Sequence, residues 1–266
     1  MDETTIGAAP GPRLARGQRL AGGRAGGRLA IAATGLRRAA GLRLAEPEIR
    51  GLGELVGRGD VCFDVGAAYG MYSFPLADLV GPTGAVHSFE PQRRPRALLQ
   101  AVRAAVGASH IRLSDSGLGH SVGELELRLP VRYGLPISGH AHLADGLATP
   151  AGRQMPLRRT RVQVTTIDEV CQTRRIERVH FIKADVEGFE PAVLQGAASV
   201  LERDRPALLL EIEDRHLSRY GKTAADVTAM LEQYGYGMST WRDGGWRRAQ
   251  RVELGTRNYL FRALGA

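Results

Sequence analysis

The sequence has few of the cysteines that are features of disulfide-rich secreted proteins and cysteine-based metal sites, and it has no long apolar run, which is a feature of membrane proteins. Its 266 residues include only two cysteines, Cys62 and Cys171, so neither a disulfide framework nor a cysteine metal site is expected. No apolar run approaches the roughly 18 residues that span a bilayer. Gly and Arg interrupt the N-terminal segment, which leaves no apolar core for a signal peptide. These absences predict a soluble, cytoplasmic protein without a membrane partner.

Lysine is also scarce, so the basic charge of the chain rests on arginine. The formal net charge is +8, yet the only lysines are Lys183 and Lys222. Such an excess can serve a nucleic-acid partner, but much of it lies among Gly and Ala near the N-terminus, where no aromatic residue could stack on bases. We therefore interpret the excess of arginine as a compositional bias of the sequence, and we do not expect nucleic acid as a partner. The predicted organisation is a flexible Arg/Gly/Ala-rich segment over residues 1–41 and a single domain over residues 42–266, with a loose helix over residues 29–44 as an open alternative.

Apolar runs and helical patterns alternate along most of the chain. Strands are predicted at residues 61–65, 85–89, 110–114, 179–184, 207–212, 236–241 and 258–262. Helices alternate with the first five, which predicts an α/β fold with a Rossmann-like, doubly wound, mostly parallel sheet of seven strands. The first crossover helix is predicted over residues 69–80, where Pro75 should bend it. The last two strands are expected to form a hairpin at the sheet edge.

Residues 120–165 interrupt this alternation. Alternating apolar and polar residues at 123–129 and 160–165 predict half-exposed antiparallel strands. The stretch between them, residues 130–159, is too long for an ordinary connection. An inserted, β-rich loop region of this kind often forms a lid or binds an acceptor.

Acidic residues lie at the ends of four predicted parallel strands. They are Asp64, Glu90, Asp185, Glu187, Glu211 and Glu213. In open parallel sheets, ligands bind outside the carboxyl ends of the strands, where the strand order reverses. A carboxylate at the end of a buried strand is also costly unless something bonds to it. The pattern therefore predicts a ligand site at this edge of the sheet.

The turn after the first strand indicates which ligand binds there. Gly66 and Gly70 bracket this turn, and both allow a close backbone approach to a bound molecule. Glu90 follows Gly70 by 20 residues, the spacing at which a carboxylate accepts hydrogen bonds from ribose hydroxyls. A dinucleotide site has a further glycine to seat the pyrophosphate, and none stands between these two. This favours S-adenosyl-L-methionine, whose carboxylate would meet helix N–H groups. An NAD(P)-dependent oxidoreductase stays an alternative.

Several motifs resemble the FkbM family of class I methyltransferases. They are Asp64-Val65-Gly66-Ala67, Phe89-Glu90-Pro91, Lys183-Ala184-Asp185-Val186-Glu187-Gly188-Phe189-Glu190 and Asn258-Tyr259-Leu260-Phe261. The resemblance covers about residues 55–262. It implies a seven-stranded methyltransferase sheet and S-adenosyl-L-methionine as the methyl donor. It also implies a small-molecule hydroxyl acceptor, such as a sugar, a polyketide or another secondary metabolite. Ala68 departs from the pattern, since the family often has Asn there.

Together, the strand ends and the resemblance assign residues to three roles. Candidates to take the proton from an acceptor hydroxyl are Asp185, Glu187 and His216. Residues expected to contact the cofactor are Asp64, Gly66, Ala67, Gly70, Tyr72, Ser73, Glu90, Pro91, Asp115, Ser116 and Asp185. Mg²⁺ is a further candidate, because carboxylates are its preferred protein ligands, and it would be held by Asp185, Glu187, Glu211 and Glu213. An RNA methyltransferase that uses the basic N-terminal arm is a second alternative.

Overall fold

The structure, a computed structural model, describes residues 22–132, 135–136, 141–145 and 156–265. Its helices are α1 (Gly22–Gly41), α2 (Ser73–Val80), α3 (Arg93–Val106), α4 (Ile167–Arg174), α5 (Glu190–Gln195), α6 (Ala198–Arg203), α7 (Asp214–Leu217) and α8 (Ala224–Gln233). Its strands are β1 (Val61–Val65), β2 (Ala85–Phe89), β3 (Ile111–Ser114), β4 (Gly117–Leu118), β5 (Gly123–Arg132), β6 (Leu135–Pro136), β7 (His142–Ala144), β8 (Leu157–Thr165), β9 (Phe181–Ala184), β10 (Ala207–Glu211), β11 (Tyr236–Arg242), β12 (Gly245–Arg248) and β13 (Asn258–Ala263). Two 3₁₀-helices lie at Pro47–Glu54 and Ser218–Tyr220. No helix within the described ranges is long and apolar enough to cross a membrane.

Eight strands form one central sheet in the order β12-β11-β13-β10-β9-β1-β2-β3. The neighbours from β10 to β3 are parallel, and β13 runs antiparallel to both β10 and β11. This mostly parallel, doubly wound sheet confirms the predicted α/β fold class. The chain builds outward from β1 to β3 on one side and from β9 to β10 on the other, so the strand order reverses between β1 and β9. Ligands are expected outside the carboxyl ends of the strands at this point.

The C-terminal strands differ from the prediction. β11 turns back into an additional strand, β12, through Asp243 and Gly244, whose φ angles of 51° and 75° suit a tight hairpin turn. The sheet therefore has eight strands rather than seven. β13 pairs with β11 as expected, but it also pairs with β10, so it lies inside the sheet rather than at its edge. The physical reason is hydrogen bonding, because an interior position gives the backbone of a buried strand partners on both edges, and Tyr259, Leu260 and Phe261 are buried.

The predicted insertion contains a second, smaller sheet. Its strands lie in the order β4-β8-β5-β6, and β7 pairs with β5. The long antiparallel pairing of β5 with β8 agrees with the two alternating runs in the sequence. Its buried face packs on Phe189, just before α5, and consists of Leu127, Leu143, Val162 and Val164. The rest of the insertion, at residues 133–134, 137–140 and 146–155, lies outside the described residues.

Helix α1 corrects the predicted N-terminal boundary. Residues 1–41 are predicted to be flexible, but α1 occupies the second half of that segment and buries one face made of Leu29, Ala33 and Ala40. The spacing of these residues matches one side of a helix. Arg37 of α1 also pairs with Asp78 of α2 at 2.8 Å between Nη1 and Oδ2. α1 therefore packs as part of the domain, whereas residues 1–21 lie outside the described residues.

The first crossover helix is shorter than predicted. α2 begins at Ser73 rather than at residue 69, because a turn follows β1 first. Pro75 then falls in the first helical turn, where the backbone N–H groups have no helical acceptor. The loss of its N–H therefore removes no helical hydrogen bond, which corrects the expected bend.

Leu29→Ala should lower the free energy of unfolding by about 2–4 kcal/mol, because it opens a cavity beneath α1. The matched control is Ile31→Ala, since Ile31 is 73% exposed on the same helix; here a change within about 0.5 kcal/mol is expected. Urea unfolding followed by circular dichroism measures both. Equal effects of the two substitutions would contradict the packing of α1 on the domain.

Candidate functional site

A cavity of about 450 Å³ lies outside the carboxyl ends of the central strands. Four strand ends of the central sheet contribute to its wall: Glu90 follows β2, Gly66 follows β1, Asp185 follows β9 and Glu211 ends β10. Gly117 and Leu118 of β4, the short strand after β3, also line the cavity. Neighbouring strands of a sheet lie about 4.8 Å apart, so the ends of β2, β1, β9 and β10 span roughly 14 Å. A ligand that follows this edge must be extended.

Some of the sequence-predicted residues line this cavity and others do not. Those in its wall are Gly66, Glu90, Pro91, Asp185, Glu187 and Glu211. The wall does not include Asp64, Ala67, Gly70, Tyr72, Ser73, Asp115, Ser116, Glu213 or His216. Asp115 is exposed, with its carboxylate 3.9 Å from Arg96, and the chain after β3 meets the cavity through Gly117 and Leu118 instead.

Glu90 is a buried carboxylate held in a fixed orientation. It is 2% exposed, and its Oε2 and Oε1 accept hydrogen bonds from the Ala68 and Gln92 amides at 2.9 and 2.7 Å. Burial raises the pKa of Glu90 to about 7. Each carboxylate oxygen has a second lone pair, so Glu90 can still accept hydrogen bonds from a ligand in the cavity.

The amides of the turn after β1 are already used within the protein. Gly66 and Ala67 both donate to the Phe89 carbonyl at 3.0 Å, and Ala68 donates to Glu90. These three amides connect the turn to the end of β2. The prediction that a ligand carboxylate meets N–H groups concerned the helix that follows, so these contacts do not test it. A ligand phosphate would also find none of these three N–H groups available.

The hydrogen-bond partner of Asp64 is a side chain of the protein itself. It is 2% exposed, and the Ser73 hydroxyl at the start of α2 donates to its Oδ2 at 2.5 Å. Ser73 is in turn 2.8 Å from the Ser88 hydroxyl of β2. Burial raises the pKa of Asp64 to about 6. Asp64 and Ser73 therefore tie β1, β2 and α2 together behind the cavity.

A second group of titratable side chains lies beyond the ends of β9 and β10. Nδ1 of His216 is 3.1 Å from Oε2 of Glu187 and 3.8 Å from Oε2 of Glu211. Burial raises the pKa of Glu187 to about 7, and burial together with the nearby Asp185 raises that of Glu211 to about 9. Gly188, with φ of 99°, brings the loop close to α7, since a Cβ there would lie 2.4 Å from the His216 carbonyl carbon and oxygen. The structure thus brings Glu187 and His216 together.

These residues do not fit the predicted Mg²⁺ site. Among the described residues, the group close enough to share an ion consists of Glu187, Glu211 and His216 rather than four carboxylates. Mg²⁺ favours oxygen ligands in octahedral geometry, and an imidazole replaces one of them here. Glu213 is engaged by Arg215 and Arg257 instead. We assign no metal to this site.

The sequence patterns did not single out three other charged groups that line the cavity, Glu46, Arg215 and Arg257. Lys183, which belongs to the motif at β9, lies just behind the cavity. Lys183 is 1% exposed, donates to Oδ1 of Asn258 at 2.9 Å and lies 3.8 Å from Oδ2 of Asp185. The lining has five carboxylates, Glu46, Glu90, Asp185, Glu187 and Glu211, against the two arginines. Three of these carboxyls, Glu90, Glu187 and Glu211, have raised pKa values and are only partly ionised near neutral pH, so a cationic ligand would bind best to their ionised forms.

A buried carboxylate at the end of β2, at the switch point of a doubly wound sheet, is typical of Rossmann-like proteins that bind nucleotide cofactors. The model of the methyltransferase FkbM domain matches residues 64–238. The chain therefore belongs to the FkbM methyltransferase family, which confirms the resemblance found in the sequence.

Similar solved structures include the methyltransferase FkbM from Methylobacillus flagellatus KT, which is 18% identical with a TM-score of 0.47; the match covers 76% of this chain and 43% of that protein. A putative rRNA methylase from Clostridium thermocellum is 13% identical with a TM-score of 0.46, covering 81% and 91%. A SAM-dependent methyltransferase from Aquifex aeolicus is 16% identical with a TM-score of 0.45, covering 89% and 97%. This chain thus spans less than half of the Methylobacillus protein. No curated protein sequence matches it.

The free energy of unfolding should fall as the pH rises from about 5 to about 7.5. Burial raises the pKa of Glu90, Glu187 and Glu190 from 4.5 to about 7. In this range the folded protein holds protons that the unfolded chain has released, so the stabilising contribution is full below pH 4.5 and is lost as the pH passes 7. Urea unfolding across this range measures the slope.

The matched variants for this measurement are Glu90→Gln and Glu54→Gln. Glu90→Gln removes one titrating carboxyl, so the change of the unfolding free energy with pH should decrease by up to the contribution of one bound proton. Glu54 is exposed, so Glu54→Gln should leave this pH dependence unchanged. A flat pH profile in the unaltered protein would contradict the assignment of these buried carboxyls.

Proposed function

We propose that this chain is an S-adenosyl-L-methionine-dependent O-methyltransferase that acts on a hydroxyl of a small-molecule natural product or sugar. The observation that carries the proposal is the order of groups at the sheet edge: Glu90 at the end of β2, and the pair of Glu187 and His216 beyond β9. The first position suits a ribose and the second suits removal of a proton from an alcohol. Membership of the FkbM family supports methyl transfer as the reaction.

The end of the cavity near β2 and β3 suits a nucleoside. Glu90 offers fixed carboxylate oxygens to the ribose hydroxyls, and apolar atoms of Phe89, Pro91 and Leu118 lie in the same part of the wall. A carboxylate that bridges two hydroxyls needs this kind of fixed orientation. We assign the nucleoside to these four residues.

A cationic cofactor suits the cavity better than NAD(P). The pyrophosphate of a dinucleotide needs free backbone N–H groups, and those of Gly66, Ala67 and Ala68 are bonded within the protein. A sulfonium, by contrast, favours the ionised forms of carboxylates with raised pKa values, such as Glu90 and Glu187.

Glu187 is the group that we assign as the base. Bound S-adenosyl-L-methionine supplies a methyl group activated by a sulfonium. Glu187 lines the cavity, and its pKa of about 7 suits a base that works near neutral pH. The acceptor oxygen would form a bond to the methyl carbon as the carbon–sulfur bond breaks and leaves a neutral thioether, and the hydroxyl proton would pass to the Glu187 carboxylate. His216, 3.1 Å away, holds that carboxylate in position and does not line the cavity itself.

The acceptor lies beneath the inserted sheet in this proposal. Leu127 of β5 and Leu143 of β7 line the cavity together with Ala141, so this side of the wall is apolar. The Tyr220 hydroxyl donates to the Leu143 carbonyl at 2.7 Å and fixes β7 against the main domain. An acceptor with an apolar surface beside its reactive hydroxyl, such as a polyketide or a glycosylated natural product, suits this wall.

Glu90→Gln should weaken binding of S-adenosylhomocysteine by about tenfold or more, because it removes charge-assisted hydrogen bonds to the ribose. Isothermal titration calorimetry on the full chain measures the affinity. The matched control is Glu54→Gln, an exposed glutamate outside the cavity, for which unchanged affinity is expected. Tight binding of NAD by the unaltered protein without binding of S-adenosylhomocysteine would overturn the proposal.

Glu187→Gln should lower the rate of methyl transfer by about a hundredfold or more and leave affinity for S-adenosylhomocysteine within about threefold. Transfer of a labelled methyl group to a panel of hydroxylated sugars and polyketides measures the rate. In the unaltered enzyme the rate should rise with pH through about 7, as Glu187 loses its proton. The control is Glu124→Gln, an exposed residue on β5. An unchanged rate in Glu187→Gln would rule out this base.

A further inference from the structure

We propose that Glu46 binds the α-ammonium group of the cofactor and so selects a ligand with an amino-acid arm. This inference rests on the proposed function, since it requires S-adenosyl-L-methionine in the cavity. Neither the sequence motifs nor the family match, which begins at residue 64, gives Glu46 a role.

The first observation is the way in which Glu46 is held. It lies immediately before the 3₁₀-helix Pro47–Glu54 and lines the cavity. Its Oε2 accepts two hydrogen bonds, from the Tyr72 hydroxyl at 2.6 Å and from Nδ2 of Asn258 at 2.9 Å. Within the described part of the chain, its Oε1 has no hydrogen-bond partner. The carboxylate is therefore fixed through one oxygen and can bind a ligand through the other.

The second observation is the charge around Glu46. Lys183 lies behind the wall, donates to Oδ1 of Asn258 and sits over the Tyr72 ring at 5.1 Å, so it contacts both hydrogen-bond partners of Glu46. Burial lowers the pKa of Lys183, but the surrounding carboxylates, which include Asp185 and Glu46, outweigh that effect and the net pKa is raised. Lys183 lies 3.8 Å from Asp185, and Arg257 pairs with Glu211 at 2.6 Å. Glu46 has no salt-bridge partner among the described residues, so its carboxylate can still pair with a cationic group of a ligand.

The third observation is the position of Glu46 along the cavity. Its partner Asn258 begins β13 and is paired with Glu211 at the end of β10, so Glu46 lies on the β9 and β10 side of the switch point. Glu90 lies at the end of β2, two strand spacings from β9, or about 10 Å. A ligand with its ribose on Glu90 reaches Glu46 with the other end of an extended chain. In S-adenosyl-L-methionine that end carries the ammonium, which has three N–H donors for carboxylate oxygens.

The test compares two ligands on two proteins. Glu46→Gln keeps an acceptor oxygen for Tyr72 and Asn258 but removes the negative charge. It should weaken binding of S-adenosylhomocysteine by about tenfold or more. Its affinity for the analogue of S-adenosylhomocysteine that lacks the α-amino group should match that of the unaltered protein. Isothermal titration calorimetry on the full chain measures all four affinities, and thermal unfolding checks that the variant is folded. The matched control is Glu54→Gln, because Glu54 ends the 3₁₀-helix that follows Glu46 and is exposed.

Each outcome separates the inference from alternatives. An equal loss of affinity for both ligands would show that Glu46 only supports the structure, and unchanged affinity for both would show that it does not meet the ligand. Either result overturns the inference while the proposed function stands. If the unaltered protein binds neither ligand, the proposed function fails and this inference fails with it.

Discussion

The close passage of the chain at the ends of β1 and β9 is the constraint on which the candidate site depends. Gly66 adopts a φ of 79°, and a Cβ at this position would lie 1.9 Å from the Asp185 carbonyl oxygen. No side chain fits in that space. The contact brings the turn after β1 against the loop that carries Asp185 and Glu187. The site therefore requires glycine at this position. Gly66 lets the ends of β1 and β9 pack closely, and it also lines the cavity.

Buried carboxylates shape the region around this contact, and each is satisfied in a different way. Asp64 has a serine hydroxyl, Glu90 has two backbone amides, and Glu211 has Arg257 at 2.6 Å. Glu190 accepts from the Val186 amide at 2.9 Å and so holds the loop between β9 and α5. Burying these groups costs stability when they are ionised, which their raised pKa values express. In the proposed function a cationic cofactor offsets part of that cost, because it favours the ionised forms of these carboxyls.

Much of the fold was predictable because apolar runs and turn residues act locally. The parallel strands follow from short, mostly apolar stretches, and Glu90 could be placed by its spacing from Gly70. Helix α1 was anticipated only as a loose helix from residue 29, because its Gly, Ala and Arg content resembles a flexible tail. Its burial in the folded domain is what shows that Leu29 is a core residue. The place of β13 was missed for a similar reason. Strand order depends on partners far apart in the chain, and a hairpin between neighbours is the simpler expectation.

The sequence by itself determined the class of the protein: the alternation of strands and helices, the acidic strand ends and the FkbM motifs were sufficient. Only the tertiary structure decided what each acidic residue does. Asp64 and Glu90 look equivalent in the chain, yet one bonds to Ser73 behind the sheet and the other lines the cavity. Glu46, which no motif includes, reaches the cavity through contacts with Tyr72 and Asn258. The physical reason is that a carboxylate's role depends on its burial and its nearest donors, and in this fold those donors come from distant parts of the chain.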